Sequence, residues 1–242
     1  MASYFRTLGV IWRKELYNYF WSPIAYIVLP IFLLVSGYFF SFSLFYLQVA
    51  AMTNAFHNMA ILLLLLAPAI TMRLLAEENQ SGSMELLFTL PVSYSTIILG
   101  KYLAAVTVLL IGLAGSLVFL IPLFAYGDPD PGPILAGYLG IFLLGCVYLA
   151  VGLFVSSASK NQIVAAVGTT GILIILWFAS YLDNFNVLGE LGISFRQLSV
   201  SHHHGEFVRG IVPLASVMYM LSLIGLFYTL SWFTVYRRRY IA

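Results

Sequence analysis

Charge is scarce in this chain. Only 8% of its 242 residues are Asp, Glu, Lys or Arg, while 62% are hydrophobic. Ordinary soluble domains carry roughly 25% charged and about 45–50% apolar residues. So little polar surface excludes a water-soluble domain, and a mean hydropathy of +0.98 places most of the chain in lipid. Cysteine is nearly absent. The single Cys146 lies in an apolar run, so no internal disulfide exists and the residue reads as small packing material. No Cys/His spacing suggests zinc. There is no Walker-type Gly-rich loop, no G-x-S-x-G elbow and no H-E-x-x-H, so neither ATP binding by that route nor those hydrolytic chemistries is expected. The 11 basic residues exceed the 9 acidic ones by too little to suggest nucleic acid.

What is present is apolar length. A helix needs roughly 20 apolar residues to cross the hydrocarbon. Residues 16–72 contain no Asp, Glu, Lys or Arg, which is too long for one helix, and a polar break at 48–58 divides them. The expected architecture is an all-α integral membrane protein, one transmembrane domain over 1–242. Its six spans fall near 24–46, 56–75, 97–125, 134–157, 162–182 and 212–236. The third and fourth spans are separated by Gly127-Asp128-Pro129-Asp130-Pro131-Gly132-Pro133, which cannot continue a helix. Ser156 to Asn161 forms a short polar hinge before the fifth, and residues 183–211 are long enough to fold on their own.

Orientation follows from Lys and Arg beside the spans. With six spans both termini share a side. Arg6, Arg13, Lys14, Arg73, Lys101, Lys160 and Arg237 to Arg239 fall there, nine residues against Arg196 and Arg209 opposite. Both termini and residues 73–101 are therefore expected in the cytoplasm, with 183–211 outside. Residues 4–20 read as an interfacial helix. Phe5, Leu8, Trp12, Leu16 and Tyr19 recur at steps of three and four, with Arg6, Arg13 and Lys14 on the other side. A membrane anchor and a force-transmitting elbow fit this pattern equally.

The spans hold almost no ionisable residue, which disfavours an ion-coupled transporter or channel. They offer aromatic surface instead, such as Tyr26, Phe32, Tyr38 and Phe40 in the first. His202, His203 and His204, with Glu206 nearby, invite a metal reading. Consecutive residues cannot all face one ion in regular structure, so no metal is expected.

Residues 73–101 carry the most information. Gly82 permits a tight reversal. Ser83 can cap a new helix with Glu85 in its first turn, Leu86, Leu87 and Leu90 give that helix an apolar face, and Pro91 ends it. Ser93 or Ser95 can cap the third span. A helical hairpin on the membrane face results. The pattern Glu77-Glu78-x3-Gly82-x2-Glu85-Leu86-Leu87-x3-Pro91-Val92-Ser93, followed by Leu99-Gly100-Lys101-Tyr102, resembles the signature of type 2 ATP-binding-cassette permeases. Ser22-Pro23-Ile24-Ala25-Tyr26, Pro68 to Arg73, Asn161 to Ala165 and Phe207 to Ile211 agree in order, and the whole is most similar to the gliding-motility-type permeases.

The resemblance implies that this chain binds no cofactor. ATP and Mg would sit on a separate cytoplasmic ATPase subunit, present in two copies beneath a pair of permease chains, in a bacterial inner membrane. It implies that Glu77, Glu78, Gly82, Glu85, Leu86, Leu87 and Pro91 form a coupling helix that docks in the ATPase. The implied activity is export driven by that subunit. The alternative is mechanical transmission to an external accessory protein through residues 183–211, without moving cargo.

Overall fold

The computed structural model describes residues 2–48, 51–82, 93–180 and 197–238. Every described element is helical, and five helices are long and apolar enough to cross a membrane. Helix α1 covers Ala2–Trp21. Helix α2, Pro23–Ser41, begins where the Ser22 hydroxyl accepts the Ile24 amide and Pro23 occupies the first turn, where its missing N–H costs nothing. It continues through a π-helical turn, Phe42–Tyr46. Helix α3, Thr53–Thr71, is followed by a tight turn and the short α4, Ala76–Ser81.

Helix α5 is Tyr94–Ser116. A 3-10 turn at Leu117–Phe119 joins it to α6, Leu120–Tyr126. Pro122 lies one turn beyond Val118, whose carbonyl it cannot bond; the tightened turn falls where that hydrogen bond is missing. Helix α7, Pro131–Ala158, starts as the Asp130 carboxylate accepts the Gly132 amide at 3.0 Å. Helix α8, Gln162–Phe178, is capped by Asn161. Helix α9 is Val200–Val208 and α10 is Leu214–Arg238.

Five expected spans coincide with membrane-length helices to within a few residues at most ends, though the second continues past the expected 75 into α4. The fifth, expected at 162–182, corresponds to α8, which has 17 described residues and is shorter than the other five. The turn at 127–130 separates α6 from α7, as the Pro and Gly residues require.

Helix α7 is the post around which the others stand. It packs on α10, α3, α8, α9 and α5, and 83% of its apolar window is buried. Tyr148, Leu144, Leu149 and Leu153 on it are fully enclosed. Glycines let neighbours come close. A Cβ on Gly140 would lie 2.4 Å from the Cβ of Phe207 in α9, and one on Gly152 would lie 2.0 Å from the Thr71 hydroxyl in α3. The sequence suggests Gly112, Gly115, Gly168 and Gly171 as close-contact positions. Gly112, Gly115 and Gly168 meet only side-chain ends at 3.0 Å or more, and Gly171 faces open space. The tightest approaches fall on α7, the most enclosed helix. Of the aromatics in α2, Phe32 and Phe40 are buried while Tyr26, Tyr38 and Tyr46 are exposed.

A direct check compares two alanines. Gly140→Ala is expected to destabilise the detergent-solubilised protein by about 1–3 kcal/mol, because the Phe207 Cβ is fixed to its backbone and cannot swing aside. Gly171→Ala, with nothing within 4 Å, is expected to leave thermal unfolding unchanged or slightly raised.

Candidate functional site

Three helices bring ionisable side chains to one end of the bundle. Lys101, in the second turn of α5, is buried to 3% exposure. Its ammonium donates to the Glu15 carboxylate of α1 at 3.0 Å and to the Glu78 carboxylate of α4 at 2.8 Å. An isolated charge at this depth would be costly, so the three helices are held together by the need to keep Lys101 paired. Gly100 assists: a Cβ there would lie 2.7 Å from Ile11 of α1, so its absence lets α1 press against α5.

This explains how α1 is oriented. The sequence pattern gives an apolar face of Phe5, Leu8, Trp12, Leu16 and Tyr19. In the structure Phe5 and Trp12 are exposed, and the inward stripe is Leu8, Ile11, Glu15 and Tyr19. The helix is turned toward the partner of its carboxylate. Trp12 still donates its indole N–H to Thr107 of α5 at 3.0 Å, and Arg6, Arg13 and Lys14 face outward. The Tyr19 hydroxyl donates to the Ile70 carbonyl at 2.8 Å; burial raises its pKa well above the ordinary tyrosine value, so it stays a neutral donor. Helix α1 is therefore docked on α5 and α3 in addition to presenting basic and aromatic side chains outward.

Helix α4 is gripped from the other side by α7. The Ser156 hydroxyl accepts the amides of Leu75 and Ala76 at 3.1 and 3.0 Å, taking the place of a local cap. Asn79 donates to the Ser159 carbonyl at 2.9 Å. The polar hinge read in the sequence at 156–161 is thus a clamp on α4. Glu77 is exposed and Glu78 half-buried. Helix α4 ends at Gly82, whose φ of +70° is the left-handed conformation glycine tolerates best. Glu85, Leu86, Leu87 and Pro91, with Ser83 and Leu90, lie outside the described residues. Ser93 flanks α5 with its hydroxyl on that of Thr96 instead of on a backbone amide.

Above Lys101 opens a polar cleft of about 490 Å³ between α1 and the α3–α4 junction, lined by Lys14, Trp21, Arg73 and Glu77 among others. Glu15 lies outside every quoted motif, and Lys101, Arg73 and Ser156 fall within quoted segments without being assigned a role there. The available signal was an acid spaced three or four residues from apolar positions on both sides (Ile11, Glu15, Tyr19), since an ionisable residue on an inward stripe demands a partner.

The histidines divide. His203 bonds the Ser216 hydroxyl at 2.8 Å and the Gln197 carbonyl at 2.9 Å and stacks on Tyr219. His204 points the other way, 1% exposed and beside Trp177; burial pushes its pKa down to about 4, so it is neutral at pH 7. Among the described residues no three His, Cys, Asp or Glu side chains gather to hold a metal ion.

The fold and site define a polytopic helical membrane protein with a braced charged assembly at one end of its bundle. Residues 40–225 match the family described as ABC-2 family transporter protein. The chain belongs to that family, and is a membrane permease component of an ATP-binding-cassette transporter, a class that works with an ATP-binding subunit. No curated protein matches the chain.

Breaking the Lys101 assembly from one side has a clear expected cost. Lys101→Met leaves two carboxylates without their cation and is expected to lower stability by about 3–5 kcal/mol, read as a fall in thermal unfolding temperature. The triple variant Glu15→Gln, Glu78→Gln, Lys101→Met removes all three charges together. It is expected to recover most of that loss.

Proposed function

We propose that this chain is the permease half of an exporter whose ATPase is a separate subunit, closest to the gliding-motility-type group. In this reading two copies of the ATPase lie beneath a pair of permease chains, and ATP and Mg are bound there. The chain crosses the bacterial inner membrane six times, α8 being the fifth crossing, with both termini in the cytoplasm. The braced end of the bundle then faces the ATPase.

The observation that carries the reading is the bracing of α4. A six-residue helix on a plain linker has no need of an internal cap from α7 and a buried ion pair to the α5 lysine that also holds α1. Such bracing suits an element that receives force. Residues 83–91, continuing past Gly82, would be the segment that docks, with Glu85 pairing to ATPase cations and Leu86 and Leu87 filling the groove. Closure of the ATPase dimer would push the hairpin, and α1, α4 and α5 would tilt as a rigid body. Cargo would pass between paired chains: the gap between α2, α3 and α5 holds only about 10 Å³.

The second reading is mechanical transmission to an external partner. It draws on α9, which is not a loose loop but a helix packed on α7 and α8, with Phe207 fully buried. A protein bound outside and a closed interface between permease copies would favour it.

Co-purification tests the proposal. Glu85→Lys and Gly82→Val are expected to reduce recovery of the ATPase subunit and its stimulated ATP hydrolysis at least tenfold while leaving membrane insertion intact. Gly82→Asn, which tolerates positive φ, is expected to retain most coupling. Undiminished co-purification and hydrolysis in Glu85→Lys and Gly82→Val would refute the assignment.

A further inference from the structure

The cleft above Lys101 has a charge pattern that the ion pairs within the chain do not use up. One ammonium, Lys101, serves two carboxylates, Glu15 and Glu78, so the assembly holds one more acidic group than basic. Glu78 keeps one carboxylate oxygen, Oε2, without a hydrogen-bond partner. On the same cleft Arg73 makes no ion pair among the described residues, and its buried Nε has no acceptor. Lys14, exposed at the edge, adds a second cation. The cleft thus has an unused acceptor, Glu78 Oε2, and an unused donor, Arg73 Nε, both on its α3–α4 side. Each belongs to a side chain that lines the space. A volume of about 490 Å³ lies within the range of ligand sites, roughly 300–1,000 Å³.

Its position narrows the ligand. The cleft lies where α1 joins α2, at the end of the membrane-length helices. Trp21 on its rim is 77% exposed and stacks on Tyr17 at 5.6 Å. Exposed Trp and Tyr at helix ends mark headgroup depth in a bilayer. Ile24, at the start of α2, supplies an apolar edge on the side toward the spans.

We infer that this cleft binds the headgroup of a zwitterionic aminophospholipid, phosphate to Arg73 and Lys14 and primary ammonium to Glu78 and Glu77. An ammonium offsets the extra acidic group and donates to Glu78. The phosphate supplies the acceptor that Arg73 lacks, in the fork geometry a guanidinium favours. A quaternary ammonium has no N–H to donate, so phosphatidylcholine meets only half of the requirement. Phosphatidylglycerol has no cation at all. The bound lipid would wedge α1 against α4 beside the Lys101 assembly. The inference rests on the chain's place in a bilayer and not on the ATPase partner.

Native mass spectrometry of the delipidated, purified permease with its subunits tests this directly. Phosphatidylethanolamine, phosphatidylcholine and phosphatidylglycerol with identical acyl chains are added in turn. The expected result is at least fivefold greater occupancy by phosphatidylethanolamine than by either other lipid. Arg73→Gln, which lies outside the Lys101 assembly, is expected to abolish that excess, and Lys14→Gln to reduce it. Glu78→Gln is expected to erase the preference over phosphatidylcholine. Glycerophosphoethanolamine, the same headgroup without chains, is expected to compete poorly; full displacement by it would assign a soluble phosphate ester and overturn the lipid source. Equal occupancy by all three lipids, or wild-type binding in Arg73→Gln, would overturn the site. So would lipid binding seen only when the ATPase subunit is stripped away, which would give the cleft to that subunit.

Discussion

The arrangement of this protein at one end depends on a single buried ammonium. Lys101 is 3% exposed, and a lone charge at that depth is costly enough that it must be paired. Its two partners come from different helices, Glu15 on α1 and Glu78 on α4. Pairing therefore fixes more than an energy. It sets which way α1 faces, how close α1 lies to α5 through Gly100, and where α4 sits beneath the bundle. A buried ion pair is weak evidence for net stability, since apolar replacements often do as well. Its value here lies in register: it admits one relative placement of three helices.

The remaining supports turn this placement into a frame. Helix α7 runs through the middle, and its C-terminal end supplies Ser156 from the last turn and the following Ser159 to the start and flank of α4. Tyr19 ties α1 to the carbonyl of Ile70 in α3. Force applied to α4 thus has direct routes into α1, α3, α5 and α7, through short bonds between groups that are largely shielded from water. In the proposed mechanism this frame carries the ATPase stroke, and interfaces this tightly packed switch between discrete positions instead of deforming continuously.

Much of the fold was legible because lipid imposes simple rules. Length and hydropathy located five membrane-length helices, and Pro and Gly at 127–133 marked the break between α6 and α7. The family was legible from the pattern around Glu77, Gly82 and Pro91, and residues 40–225 place the chain in it. The site was only partly legible. Glu78 stood out within a motif, but its partner Lys101 is 23 residues away in sequence, and Glu15, which shares that ammonium, is 86 residues from Lys101; periodicity does not report such pairings. For α1 the apolar pattern grouped Phe5 and Trp12 on one face of an interfacial helix and left Glu15 out, because hydrophobicity alone ranks an aromatic above a carboxylate. A buried cation reverses that ranking for Glu15. Ser156 was hidden for a similar reason: a serine in a polar hinge carries no mark that its hydroxyl caps another helix.

The central claim is that α1 and α4 move as one body because Lys101 joins them. Double electron–electron resonance measures this, with spin labels on Tyr17→Cys in α1 and Gln80→Cys in α4, both exposed positions, and the buried Cys146 replaced by Ala. The complex with its ATPase is compared without nucleotide and with ATP trapped. The account predicts that the distance between labels within one chain shifts by less than about 2 Å, the scale of helix adjustments inside a packed unit. Over the same step, the distance between Gln80→Cys labels on the paired chains changes by more. A within-chain shift that exceeds the between-chain shift would contradict it.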